Sequence, residues 1–180
     1  MRHVAIIGGN GSGKTTFARQ LAQRTGLPLV HLDRLYWAEE WTPRAADEFD
    51  RLLAAELEKP MWIMDGNIRR TLPERLPHCD TIFYFDFPAI ACFWGAFQRI
   101  WKNRGRSRPD MGGRCVERFD RKAWKFLLST LSFNRKNRPF YREALARCPG
   151  AKVIVFKSRR QARRWMESAQ LPAQKEAGGE

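Results

Sequence analysis

Apolar residues come along this chain in short unbroken runs. Residues 3–7, 29–32, 61–64, 81–87 and 152–156 each read as a strand buried on both faces. Between these runs the apolar period lengthens to that of a helix. Phe17, Leu21 and Ala22 share one face of a helix predicted over 14–25, with Gly26 as its stop. Thr42 and Pro43 read as the N-cap and first residue of a helix running to about residue 59, with Phe49, Leu52, Leu53 and Leu57 as its apolar positions. Pro88 opens a helix through Phe93, Phe97 and Trp101, and Ser158 caps a closing one. Short buried strands separated by helices predict an α/β domain with a five-stranded parallel sheet covered on both sides.

One stretch departs from this alternation. Residues 104–147 are basic and helical in pattern and contain no strand, so they read as an insertion over the sheet's edge and a candidate lid. The expected organisation is a single domain over 1–169, with that insertion inside it and a disordered polar tail over 170–180. No apolar window reaches the length of a membrane span, and the N-terminal apolar run is too short for a signal peptide. Cys79, Cys92, Cys115 and Cys148 form no CxxC pair. Their spacing argues against zinc and for reduced thiols in a cytoplasmic protein.

Charge sharpens the picture. Residues 98–165 carry 21 Lys or Arg against 4 Asp or Glu, a balance of +17, within a chain of net charge +14. That half must meet an anion, either bound phosphates or a nucleic-acid backbone, unless it is merely a solvated face.

The first strand runs straight into Gly8, Gly9, Asn10, Gly11, Ser12, Gly13, Lys14, Thr15 and Thr16, which fit the pattern G-x-x-x-x-G-K-S/T. Glycines let successive N–H groups turn into one cavity, and the helix that follows adds its dipole. Lys14 reaches the β- and γ-phosphates, and Thr15 offers a hydroxyl to Mg²⁺. Residues 8–16 are therefore expected to bind a nucleoside triphosphate, with ATP and Mg²⁺ as cofactors. The third strand ends on Asp65, placed either to hold Mg²⁺ through water or to cap the next turn. Arg69 and Arg70 follow. One of them is a candidate clamp for an anion, while at least one is a surface arginine. Asp33, after the second strand, is expected at the same sheet edge. There it would accept a proton from an alcohol, or bind a substrate hydroxyl or base edge. Tyr36, Trp37 and Trp41 either wall a planar substrate or pack the core. Arg99, Arg104 and Arg106 are the candidates to close on the triphosphate, in a loop that Gly105, Gly112 and Gly113 would let move and that also carries Arg108 and Arg114.

Taken in order, GGNGSGKTT, DGNIRRTLPERL, DTIFYFDFP and the arginine-rich loop resemble the elements of adenylate-kinase-type P-loop kinases. HLDRLYW, WIMDGN, RTLPERLPHCDTIFYFDFP and RGRSRPDM together are similar to the bacterial topology modulation protein (FlaR) group, over nearly the whole chain. The resemblance implies an adenylate-kinase-like fold, ATP with Mg²⁺, and phosphoryl transfer to a nucleotide or nucleoside. It also implies a metal-side acid at Asp65 and a monophosphate-binding arginine at Arg69. Three features depart from adenylate kinases: Gly9-Asn10 replaces the usual proline-containing loop, no proline follows Asp65-Gly66, and only about 30 residues separate strands two and three. That short connection is closer to shikimate- or gluconate-type kinases, which phosphorylate alcohols.

Two other classes stay open on sequence. One is a DNA-binding protein with a regulatory ATP site, using residues 98–165 for phosphate contacts and Trp101, Trp124 and Phe126 for stacking. The other is a nucleotide-dependent switch. Arginines converging on the glycine loop mark a kinase; arginines spread over an outer face mark a nucleic-acid binder.

Overall fold

The computed structural model describes residues 1–107, 110–111 and 114–170. The expectations for Arg108, Gly112, Gly113 and the tail beyond residue 170 lie outside them. Five parallel strands form one sheet in the order β2-β3-β1-β4-β5: β1 His3–Gly8, β2 Leu29–His31, β3 Trp62–Asp65, β4 Thr81–Phe85 and β5 Lys152–Phe156. Strand side chains alternate between two cores. Val4, Ile6, Ile63, Phe83 and Phe85 pack against α1 (Lys14–Thr25) and α7 (Arg159–Ser168), with Phe17 meeting Phe83, Phe85 and Phe156 edge-on. Ala5, Ile7, Trp62, Met64, Ile82 and Tyr84 face the other way. The short α2 (Leu32–Tyr36), α3 (Ala46–Leu57), α4 (Leu72–Arg75) and the C-terminal half of α6 (Arg121–Ala146) cover them. Strands buried on both faces are the reason their sequences show no alternation. Ser158 caps α7 by accepting from Gln161 N–H, as its sequence suggests.

Two expectations need correction. Helix α3 begins at Ala46 rather than at Thr42-Pro43. Thr42 N–H instead closes a 3₁₀ turn onto Glu39 O, and Pro43 bridges to Trp37, so both residues serve a tight loop that a helix start would break. The 104–147 stretch is also not one insertion. Helix α6 packs Leu127 against Ala96 and Ile100 of α5 (Ala89–Lys102) and sends Tyr141 and Ala144 into the core beneath the sheet. Its basic composition belongs to its outer face and hides a buried stripe of ordinary helical spacing. All four cysteines are buried and none forms a disulfide. Among the described residues no helix is long and apolar enough to cross a membrane.

Past the end of β4, Asp86 ties three elements together. It is buried and accepts from Arg138 of α6, at 3.0 Å from Nε and 2.8 Å from Nη2, and from Lys157 after β5. Burial opposes its ionisation, but the hydrogen bonds from Lys157 and Arg138 outweigh that and hold the carboxyl below its usual range. A carboxyl depressed in the folded state stabilises the fold above its unfolded pKa, and that contribution is lost as pH falls through the folded value. Asp86→Asn is therefore expected to lower stability at neutral pH by about 2 kcal/mol. The difference from the parent should shrink as pH drops below about 4. Thermal melts of both proteins from pH 7 down to pH 3 would measure it, and a constant offset would show that Asp86 contributes no such linkage.

Candidate active site

Strand β1 ends at Gly8, and the chain then folds back toward the start of α1. Gly11 (φ 78°) and Gly13 (φ 95°) take left-handed conformations, and Gly13 is the N-cap of α1. Space is the stricter demand. A Cβ on Gly11 would stand 2.1 Å from the carbonyl oxygen of Cys92, and one on Gly95 of α5 would stand 2.0 Å from Gly11 O. The loop thus lies backbone against backbone on α5. Arg159 Nη2 donates to Gly11 O at 2.8 Å from the start of α7.

Within the loop, the Ser12 hydroxyl and Lys14 Nζ both donate to Gly9 O, at 2.7 and 2.9 Å. Lys14 is buried. Burial pulls its pKa below the ordinary lysine value, against the opposing pull of Asp65 and Asp33. Asp65 at the end of β3 and Asp33 in the first turn of α2 thus favour the cation that burial disfavours.

Asp65 closes β3 beside Ile6 and His31. Its Oδ2 lies 3.2 Å from His31 Nδ1, whereas its buried Oδ1 has no hydrogen-bond partner. Two residues on, Asn67 extends the ladder with its side chain: Gly8 N–H donates to Asn67 Oδ1 at 3.0 Å, and Asn67 Nδ2 donates to Gly8 O. Tyr141 of α6 donates to the same Oδ1 at 2.9 Å. The amide thereby satisfies the last residue of β1 on the side where β3 has already ended.

These elements enclose a cleft of about 620 Å³. Asn10, Gly11, Gly13, Lys14, Thr15 and Thr16 line it from the loop and α1, with Asp33 and Asp65 from the sheet edge. Gly8, Gly9 and Ser12 stand behind that lining and shape the loop through internal hydrogen bonds. Arg19, Arg99, Lys102 and Arg159 add a cationic wall. Arg99 also reaches Glu117 at 3.7 Å and lies over the Phe126 ring.

Other predicted residues stand elsewhere. Arg104 lies over Trp101, and Arg104 and Arg106 belong to a neck in which Gly105 N–H donates to Glu117 O and Glu117 N–H to Arg106 O. Arg69 is exposed and stacks on Phe140 at 4.3 Å. Arg70 makes a two-pronged pair with Asp50, at 2.9 and 2.6 Å, the surface role open to one of these two arginines. Tyr36 packs edge-on against Phe49, and Trp41 donates from its indole to Val116 O, so these rings pack and brace. Asn67, Gly95 and Arg159 went unpredicted. A glycine inside the apolar helix α5 is the one local signal among them.

The donor set of Thr15 hydroxyl and the free Asp65 oxygen fits Mg²⁺, a hard cation usually held by one or two protein oxygens together with substrate phosphates. Among the described residues no cluster of three or more His, Cys, Asp or Glu could hold a metal by itself.

A family model described as isopentenyl transferase matches residues 1–52, which span β1, the glycine loop, α1 and β2. No curated protein matches the chain. Among solved structures, the chain is similar to a shikimate kinase from Acinetobacter baumannii in complex with shikimate. The identity is 14%, the TM-score 0.57, and 93% of this chain and 89% of that one are covered. It is also similar to a sugar kinase from Janibacter sp., at 21% identity and a TM-score of 0.53, with 93% and 91% covered. The fold is that of P-loop kinases.

Lys14→Ala is expected to cut ATP turnover by about 10²- to 10³-fold while leaving the melting temperature near that of the parent, because Nζ serves the cleft and not the core. Steady-state ADP release and a thermal melt check both halves. Gly95→Ala tests the loop's seat. The added methyl meets both Gly11 O and Arg159 and must displace both, so ATP affinity should fall by at least about tenfold, with a stability loss of about 1–3 kcal/mol. Calorimetric ATP titration of the folded variant measures it, and unchanged affinity would mean that the loop does not depend on α5.

Proposed function

We propose that the protein transfers the γ-phosphoryl group of ATP to a hydroxyl of a small acceptor bound beside Asp33. The observation that carries this reading is convergence: one cleft is lined by Lys14, Thr15 and Asp65 and, across the sheet edge, by Asp33. Acceptor oxygen and γ-phosphorus form the new bond while the bond from that phosphorus to the bridging oxygen of ADP breaks. Asp33 takes the proton that the acceptor hydroxyl loses. Lys14, with Arg99, Lys102 and Arg159 on the cationic wall, balances the charge spreading over the phosphoryl oxygens. Thr15 and Asp65 would hold Mg²⁺, which when bound with the triphosphate supplies further charge neutralisation.

The loop between α5 and α6 is the part of the 104–147 stretch suited to act as a lid. Asp110 lines the cleft and pairs with Arg19 at 3.2 Å, and the neck at residues 104–107 and 116–117 anchors the loop's base. Closing it would keep water from the γ-phosphate. Buried cysteines outside any disulfide are in keeping with a cytoplasmic setting.

Within this reading the geometry favours an alcohol over a monophosphate. Asp33 lines the cleft, whereas Arg69, the residue that the adenylate-kinase resemblance gives to a monophosphate, stacks on Phe140 outside the lining. The DGNIRR motif supports the second reading, a nucleotide or nucleoside acceptor as in the topology modulation group, for which Arg69 would have to leave Phe140. Against a regulatory ATP site on a DNA-binding protein stands the wall of Arg19, Arg99, Lys102 and Arg159 aimed into the cleft.

The experiment is a panel of small polyols and cyclic alcohols, nucleosides and nucleoside monophosphates, scored by ADP release above the rate without acceptor. On an alcohol acceptor, Asp33→Asn should lower kcat by about 10²- to 10⁴-fold with KM little changed, and Arg69→Ala should be mild. A severe Arg69→Ala phenotype, with Asp33→Asn mainly raising KM, would turn the assignment to a monophosphate. Normal kinetics in both would remove this pocket from the reaction.

A further inference from the structure

Outside the cleft, the outer face of α5 and α6 carries the largest run of exposed apolar side chains. Ile90, Trp94 and Trp101 on α5 and Trp124, Leu128 and Leu131 on α6 are 41–59% exposed. They fall at helical spacings of three, four and seven, so each helix presents one stripe. Asn134 donates to Phe87 O while Phe119, just before α6, meets Trp101 at 6.1 Å; the helices are therefore antiparallel and the stripes lie side by side. Rings make the surface continuous, from Trp94 to Phe97 (5.7 Å), Phe97 to Trp101 (6.2 Å), and through Phe119 to Trp124 (5.4 Å). The α5 stripe is about 17 Å long and the α6 stripe about 11 Å, and with helices about 10 Å apart they give a face of roughly 300 Å². A contiguous apolar patch of that size on a monomer is often functional.

Charge selects the occupant. From residue 89 to 142 the chain holds three acids, Asp110, Glu117 and Asp120. Asp110 pairs with Arg19, Glu117 with Arg99, and Asp120 caps α6 through Lys122 and Ala123 N–H. Arg121, Lys125 and Arg135 are exposed and flank the α6 stripe, Arg118 precedes Phe119, and Arg104 lies over Trp101. The rim is therefore cationic around an apolar centre. A second copy seated face to face would set cation against cation, on less than half of the roughly 800 Å² per partner that a standard interface buries. A nucleic acid would match the rim but not Ile90, Leu128 and Leu131, which offer no face for a base to stack on. Phe126, a further stacking candidate, lies beneath Arg99. Tryptophan, leucine and isoleucine ringed by lysine and arginine suit the boundary between headgroups and acyl chains in an anionic bilayer.

We propose that the α5–α6 face docks the folded protein reversibly on anionic phospholipid surfaces, with the Trp94–Trp124 ridge entering the headgroup boundary and the basic rim engaging lipid phosphates. This inference does not depend on the acceptor or on phosphoryl transfer.

The test uses the full chain and two kinds of vesicle, phosphatidylcholine alone and phosphatidylcholine with phosphatidylglycerol in equal parts. The protein should sediment with the second, weakly or not at all with the first, and less as salt rises. Tryptophan emission should shift to shorter wavelength on binding. Trp94→Ser with Trp124→Ser should weaken binding by at least about tenfold while ATP turnover and melting temperature are kept. Arg121→Gln with Lys125→Gln should weaken it about 30-fold, at about fivefold for each charge. Should the tryptophan pair fail to fold, Leu128→Ser reads the same face. No sedimentation with either vesicle, or binding untouched by the tryptophan and Leu128 variants, overturns the proposal. So does self-association that depends on Trp94 and Trp124 without vesicle binding, which would assign the face to a second copy. DNA binding that depends on them without vesicle binding would assign it to nucleic acid.

Discussion

The site rests on a contact between two backbones. A side chain on Gly95 would run into Gly11 O, and one on Gly11 into the backbone of Cys92 and Ala96, so neither residue can carry one and the glycine loop takes its posture from α5. Helix α5 is held in turn. Its Ala96 and Ile100 pack on Leu127 of α6, Asn134 of α6 donates to the carbonyl of Phe87 just before α5 begins, and Asp86 binds Arg138 one turn further along. The direction in which the loop's amides point thus depends, through α5, on α6, a helix far away in sequence that lends no residue to the cleft lining. Packing of this density transmits position, because buried neighbours have few alternative arrangements.

Electrostatics divides the basic half of the chain in two. Arg99, Lys102 and Arg159 face the cleft, where Lys14 already sits between Asp33 and Asp65. Arg118, Arg121 and Lys125 face outward around an apolar ridge. A single number for net charge merges these populations, although one lines a concave cleft and the other faces solvent. Burial makes the first set far more sensitive to the loss of a partner than the second.

Much of this was legible in the sequence. The strands and α1 needed only runs of apolar residues and one cap, and the glycine loop needed only its spacing, because both are local consequences of backbone sterics. Asp33 and Asp65 both line the cleft because parallel strands bring their C-terminal ends to one edge, a placement the strand pattern alone implies. What escaped depends on contacts between distant residues. The start of α3 is hidden because Pro43 is committed to Trp37, a bridge invisible in the Thr-Pro signal. Helix α6 reads as a lid from its composition because its many cations outweigh the buried Leu127, Tyr141 and Ala144. Arg104 and Arg106 stand outside the cleft lining, in a neck whose backbone bonds to Glu117 no local pattern marks. Asn67 and Arg159 carry no local mark at all, since their importance lies wholly in which carbonyl each one meets.

Asn67 has a mechanical consequence. Its amide holds both polar groups of Gly8, where the phosphate loop begins, while its own backbone belongs to the segment leading to Arg69. A shift of residues 66–70 cannot occur without either breaking both bonds or pulling Gly8 with it. The end of β3 and the start of the glycine loop are joined by a link one side chain long, so a displacement on one side of the cleft is felt on the other.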